Sequence, residues 1–245
     1  LEIFQNQMKE ANRLFAKYIQ NNYQDWIVNQ SGPLMSHQIL KKKLFPILKK
    51  KSGKTTLMLV IDNLRFDQWK IIAPIIENHY QIDEEISYFS ILPTATQYAR
   101  NAIFSGMLPL EMQINHPELW VDENERLGKN LNEEVFLKSQ LQRYGMNCQF
   151  SYSKITNLRA GRELTQSLSN HKNDDLLVVV YNFVDMISHA KTEMEIIKEL
   201  ASDNRAFRSL TLSWFKNSPL LEIIQKARRL GFNLIVTTDH GTINV

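Results

Sequence analysis

Three short apolar runs constrain this chain most. Leu176 to Tyr181 reads Leu-Leu-Val-Val-Val-Tyr, Leu57 to Ile61 is also unbroken, and Phe232 to Thr238 is nearly so. A strand with apolar side chains on both faces must be covered on both faces. The stretches between the runs carry helical periodicity. Strands alternating with helices imply an α/β fold, a mostly parallel sheet flanked by helices. In such sheets, sites gather at the carboxyl ends of the strands.

The rest of the chain fits this frame. Phe4, Met8, Phe15, Ile19, Tyr23 and Trp26 recur at three- and four-residue spacing, which predicts a helical segment over residues 1–29. Ser31-Gly32-Pro33 stops it. Further helices are expected over 66–80, 97–105 (closed by Gly106), 133–144, 161–169 and up to Gly231. Strands are expected over 85–92, from its alternation, and near 149–152.

Composition excludes several classes. The 245 residues are 43% hydrophobic, enough for a sizeable core. Cys148 is the single cysteine, so an intrachain disulfide and a multi-cysteine zinc site are impossible, which points to a reducing, cytoplasmic compartment. No apolar run approaches the roughly 18 residues of a membrane helix, so no membrane insertion is expected. The chain lacks a starting Met and ends just after a strand pattern, so it reads as a piece of a longer protein.

Charge is local. Seven lysines lie between Lys41 and Lys54, and removing them from the net charge of +3 leaves −4. They bracket Leu44-Phe45-Pro46-Ile47-Leu48. The plain reading is a solvated basic surface around an anchoring segment. The sharper one is an electrostatic guide for a polyanion, but the run lacks interleaved aromatics for base stacking. Gly53-Lys54-Thr55-Thr56 imitates a P-loop, yet Leu48 stands where the first glycine belongs, and the segment precedes a strand.

Reactive residues fall at predicted strand ends. Asp62 follows the run ending at Ile61, and Asp239 and His240 follow the last. Asp185 and His189 come after Tyr181, and Thr96 opens a helix past the 85–92 segment. Asp185 and His189, four apart on a helix, share a face and could hold one metal ion. Mixed carboxylate and imidazole ligands suit Zn²⁺, and Mn²⁺ as well. Thr96 at a helix start favours a phosphate-like anion beside its hydroxyl. Each residue also has a plain reading: Asp62 and Thr96 as helix caps, Asp239-His240-Gly241 as a turn, and Asp185 with His189 as an exposed pair. Independent turn residues need not converge on one sheet edge, however.

Asp62-Asn63-Leu64-Arg65-Phe66-Asp67, Pro93-Thr94-Ala95-Thr96, Asp185 to His189 and Thr238-Asp239-His240-Gly241 resemble, in that order, the alkaline phosphatase superfamily, and within it the PglZ branch. The wording around them resembles the PglZ-containing response regulators of the type IX secretion system. That resemblance implies two zinc ions, one on Asp62, Thr96, Asp239 and His240, the other on Asp185, His189 and a later histidine that this sequence lacks. It implies Thr96 as nucleophile. It divides the chain into the end of a helical bundle with its connector (1–50) and a C-terminally incomplete PglZ domain (51–245), without the receiver domain.

Three functions follow. The first is a zinc-dependent phosphodiesterase acting on linear or cyclic oligonucleotides, as the output domain of a two-component regulator controlling type IX secretion. The second is a regulatory module with a structural or vestigial metal site. By resemblance it would contact a secretion-motor cytoplasmic segment and a sigma factor, with homodimerisation on activation open. The third is another chemistry of the superfamily: phosphomonoester, sulfate ester or phosphosugar transfer. Fold alone does not choose among them. Sulfatase-type members use a modified Cys or Ser, and position 96 is a threonine.

Overall fold

The computed structural model describes residues 2–29, 31–50, 52–120, 131–182, 184, 199 and 203–242. Four strands, β1 (Thr56–Ile61), β2 (Phe150–Ile155), β3 (Leu176–Tyr181) and β4 (Asn233–Thr237), form one sheet in the order β2-β3-β1-β4. All neighbours pair in parallel, with Thr56 opposite Leu176 and Asn233, and Phe150 opposite Leu176. Nine α-helices are present among the described residues. In chain order they are α1 (Glu2–Asn29), α2 (Phe45–Lys49), α3 (Phe66–Glu77), α4 (Thr96–Ser105), α5 (Pro109–Asn115), α6 (Glu133–Arg143), α7 (Leu158–Ser167), α8 (Asn204–Lys216) and α9 (Pro219–Arg229).

Strand residues point alternately to opposite faces, so β1 and β3 feed two cores. Met58, Val60, Leu176, Val178 and Val180 enter one, against Ile103 and Phe104 of α4 and Phe136 and Leu137 of α6. Leu57, Leu59, Ile61, Leu177, Val179 and Tyr181 enter the other, against Ile72 and Ile76 of α3, Leu164 of α7, Phe215 of α8 and Ile223 of α9. Every residue of β1 and β3 is buried, whereas β4, at the sheet edge, is half-buried throughout. Fully burying one such aliphatic side chain contributes about 1.5–3 kcal/mol. The two central strands therefore anchor the fold and fix where their carboxyl ends lie. This is the α/β architecture that the apolar runs predict.

One element differs. Residues 85–92 form no strand; Phe89 makes a single bridge with Met35. The Phe89 N–H donates to Leu34 O, and Ser36 N–H to Phe89 O. Beyond that bridge, side chains hold the segment. Trp69 and Lys70 bind Glu85, Tyr88 OH donates to Thr238 O, and Ser90 Oγ donates to Asp239 O. Its alternation reflects side chains facing two packed surfaces, with no ladder beside it.

Two features of the first fifty residues bear on the site. A 3₁₀ turn (Ser36–Gln38) and a π-helical turn (Leu40–Leu44) lead into α2. Ile39, Leu40, Leu44 and Phe45 are buried in the first core, so this segment is built into the sheet domain. In α1, Trp26 is buried against the same core and meets Phe89 edge-on, while Ile3, Phe4, Met8, Leu14 and Phe15 are exposed.

Candidate metal and nucleophile site

The chain leaves β1 at Ile61, and Asp62 is the next residue. Asn63 then takes a left-handed conformation (φ 60°). Asn tolerates this region better than most residues with a Cβ. The reversal turns the Asn63 N–H onto Asp239 Oδ1 (3.2 Å) and the Leu64 N–H onto Thr238 Oγ1 (3.0 Å). The ends of neighbouring strands β1 and β4 are thereby stitched together, and Asp62 and Asp239 come side by side. The Asp239 Oδ1 also accepts from the His240 N–H at 2.9 Å.

Thr96 is the first residue of α4, after Ala95 in an extended conformation. No strand precedes it, so the loop 93–95 and the helix place it rather than a strand end. Thr96 Oγ1 lies 2.8 Å from His240 Nε2 and donates to Asp62 Oδ1 at 3.5 Å. His240 Nε2 is 3.7 Å from Asp62 Oδ1 and 3.9 Å from Asp239 Oδ2. Asp62, Asp239 and His240 each offer a ligand atom within 4.8 Å of the other two. Four of the six predicted site residues thus meet in one place. Asp185 and His189 lie outside the described residues.

Asp62 and Asp239 are 1% and 0% exposed. Burial pushes the Asp239 carboxyl well above the usual range, and the negative charge of Asp62 pushes it further. Arg100, His240 and the Asn63 N–H pull it back only in part. Two carboxylates in a dry site resist carrying two charges, and a bound cation removes that conflict. Among the described residues, the Oδ2 atoms of both aspartates have only the Arg100 guanidinium beside them as a close donor group. Two buried carboxylates, an imidazole and a hydroxyl are a donor set that fits Zn²⁺ or Mn²⁺.

Sequence reasoning missed Arg100, one turn after Thr96 on α4 and 1% exposed. Its Nη1 lies 2.9 Å from Asp62 Oδ2 and 3.6 Å from Asp239 Oδ2. Its Nε donates to Glu133 Oε1 at 2.6 Å. Burial disfavours the charge on Arg100, but Glu133, Asp239 and Asp62 outweigh it and raise its pKa. Glu133, also 1% exposed, accepts from Tyr152 OH and pairs with Lys154 Nζ at 3.1 Å. Two signals pointed to Arg100. It follows Thr96 by four residues, so the two share a helix face, and its neighbours Ala99, Ala102 and Ile103 mark a buried helix.

Other polar residues near the motifs, and the lysine run, take various places in the fold. Arg65 makes a bidentate pair with Asp67 and lies over the Phe207 ring. Asn101 is buried in α4, and Lys191 lies outside the described residues. Lys49, Lys50 and Lys54 are exposed before β1. The strand's six residues separate Lys54 from Asp62 by about 20 Å. Lys41 lies over the Tyr144 ring, Lys42 bonds Gln38, and Lys43 pairs with Glu84. The described lysines of the run thus form a basic surface around the buried Leu44 and Phe45, at the far end of the sheet or along its flank. Ser151, His171 and Asp174 also meet at that far end. Both the hydroxyl and the imidazole face the carboxylate, at 2.7 and 2.8 Å, so they form no nucleophile–base pair.

No described helix is long and apolar enough to cross a membrane. A family model for the PorX response regulator linker domain matches residues 1–27. No curated protein matches the chain. A model for the BREX system PglZ alkaline phosphatase-like domain matches residues 39–245, the stretch that holds the whole sheet and the Asp62–Thr96–Asp239–His240 cluster. With most of its length matched, the chain belongs to the PglZ alkaline phosphatase-like family.

Proposed function

We propose that this chain is a metal-dependent phosphodiesterase with Thr96 as its nucleophile. One observation carries the reading. In a member of this family, the Thr96 hydroxyl stands at a helix start 2.8 Å from His240 Nε2 and 3.5 Å from Asp62 Oδ1. Asp62, Thr96, Asp239 and His240 would hold one Zn²⁺, and Asp185 and His189 would contribute to a second. Bound metal supplies a lowered hydroxyl pKa and charge neutralisation on phosphoryl oxygens.

The chain's own residues do the rest. The first-turn N–H groups of α4 face an anion beside Thr96 and help orient a phosphodiester. Thr96 Oγ1 loses its proton and attacks phosphorus, forming an O–P bond as the bond to the leaving alkoxide breaks. The alkoxide takes up a proton. Water then attacks the phospho-threonine ester, releases the phosphomonoester and returns the proton to Thr96. Thr96 is half-buried, so solvent water has access to it. We take linear or cyclic oligonucleotides as the substrate class.

The test is hydrolysis of bis-p-nitrophenyl phosphate by the full-length gene product, with and without Zn²⁺, beside Thr96→Ala. The expected result is zinc-dependent turnover that falls at least about 10³-fold in the variant. Equal turnover in the variant overturns Thr96 as nucleophile.

A second role rests on the linker match at residues 1–27. We infer that the phosphodiesterase is the output domain of a response regulator, its N-terminal helix ending a helical bundle. Of the connector expected within 1–50, Ile39, Leu40, Leu44 and Phe45 pack into the core of the catalytic domain. A secretion-motor cytoplasmic segment, a sigma factor and a second copy of the chain are the proposed partners, in a cytoplasmic setting. Zinc binding without turnover would shift the weight to this regulatory role.

A further inference from the structure

A full positive charge sits within ion-pair distance of both buried aspartates. Arg100 Nη1 is 2.9 Å from Asp62 Oδ2 and 3.6 Å from Asp239 Oδ2, and all three side chains are at most 1% exposed. Two carboxylates this close repel strongly where water cannot screen them. The guanidinium does not reach them by chance. Its Nε is tied to Glu133 at 2.6 Å. Glu133 in turn is held by Tyr152 and Lys154, both on β2. The Thr96 helix thus delivers a cation into the carboxylate pair, and a second strand anchors it from behind. Nη1 is the charged group that both Oδ2 atoms face, the nearer at 2.9 Å. The contact brings a positive charge to both carboxylates, which a metal ion could also supply.

We propose that Arg100 is a positioning residue that stands in for the metal: it holds Asp62 and Asp239 together in the metal-free protein and lowers the site's affinity for a divalent cation. The second half rests on the metal-binding reading given above. A cation entering the cluster meets a neighbouring positive charge, so metal affinity is lower than two carboxylates and an imidazole would otherwise give. The same charge keeps the empty site folded.

The probe is Zn²⁺ alone, and the readouts are melting temperature and zinc dissociation constant, by competition with a chromophoric chelator. The proteins are the full-length gene product, Arg100→Met, Asp239→Asn and the double variant. Metal-free Arg100→Met should melt at least about 5 °C below wild type, and Zn²⁺ should restore more than half of that loss. Its zinc dissociation constant should be at least about tenfold tighter than that of wild type, by removal of a nearby like charge. In the Asp239→Asn background, without metal, Arg100→Met should cost less than half of what it costs alone. A loss of equal size with and without Zn²⁺, or zinc binding weaker than wild type, makes Arg100 an ordinary packing residue and overturns the proposal. If Arg100→Met does not fold without metal, folding on Zn²⁺ addition supports the proposal, and failure in both conditions and in the double variant overturns it. If wild type binds no Zn²⁺, the metal reading fails. The metal-free comparison of the four proteins still decides whether Arg100 is the counter-ion.

Discussion

Gly106→Ala should weaken the helix that carries both Thr96 and Arg100. Gly106 caps α4 in the left-handed region, at φ 64°. A side chain there costs about 1–2 kcal/mol in backbone strain. A Cβ at this position would also stand 2.7 Å from the Gln140 Cδ and 3.2 Å from Arg143 Nη2. Gln140 is fully buried, and the amide orientation that satisfies its surroundings sets its N–H groups on Ile103 O (3.2 Å) and Phe104 O (2.8 Å), two carbonyls of the last turn of α4. Displacing that amide forfeits two hydrogen bonds of about 0.5–1.5 kcal/mol each and leaves buried carbonyls without partners. The sum is about 2–5 kcal/mol. Gly145→Ala separates the two contributions. Its φ of 62° is almost the same, but a Cβ there meets nothing within 4 Å, so it should cost only the strain. Urea denaturation of the two variants beside wild type measures both. Gly106→Ala should lose at least about 1 kcal/mol more than Gly145→Ala. Equal losses would refute the claim that Gln140 closes this helix end.

Two further expectations follow from charge. Burial alone would raise the Asp67 carboxyl, but hydrogen bonds and charge from Arg65 and Arg208 outweigh it and hold the pKa below the usual value. A depressed folded pKa contributes stability that is present above the unfolded value and lost as pH falls through the folded one. Asp67→Asn should therefore be less stable than wild type at pH 6, by roughly 1 kcal/mol or less, with the gap closing below about pH 3. A gap that grows on acidification contradicts this. Cys148 is half-buried, and burial, with the nearby Asp175 charge, pushes its thiol pKa up. Iodoacetamide at pH 7.5 should alkylate it more slowly than it does an unstructured cysteine peptide, because less thiolate is present. A faster rate would refute that environment.

The sequence announced its central strands because burial on both faces leaves β1 apolar after Thr56 and β3 apolar up to Tyr181. It misled at 85–92, where alternation arises from side chains such as Tyr88 and Ser90 reaching β4's end rather than from a ladder. It was silent on α2 and α5, which are five and seven residues long and too short for a periodic signature. At the site, Asp62, Asp239 and His240 were legible because strand ends focus reactive residues on one edge. Thr96 was legible as a helix start, although the strand expected before it is absent. Arg100 and Glu133 were not. A charged residue in a helix ordinarily reads as surface, and an acidic one in the first turn, like Glu133, reads as a partner for the helix dipole. The spacing from Thr96 and the apolar neighbours marked the face of Arg100, but the tertiary contact of α4 with α6 and β2 is what pairs it with Glu133.

The central claim is that phosphorus is transferred to Thr96. The most direct test is to quench turnover of bis-p-nitrophenyl phosphate with acid and examine the peptide containing Thr96 by mass spectrometry. The account predicts a p-nitrophenyl phosphoryl group on Thr96, formed only with Zn²⁺ present and missing from Thr96→Ala. Turnover with an unmodified Thr96 peptide, or with the adduct on another residue, would contradict it.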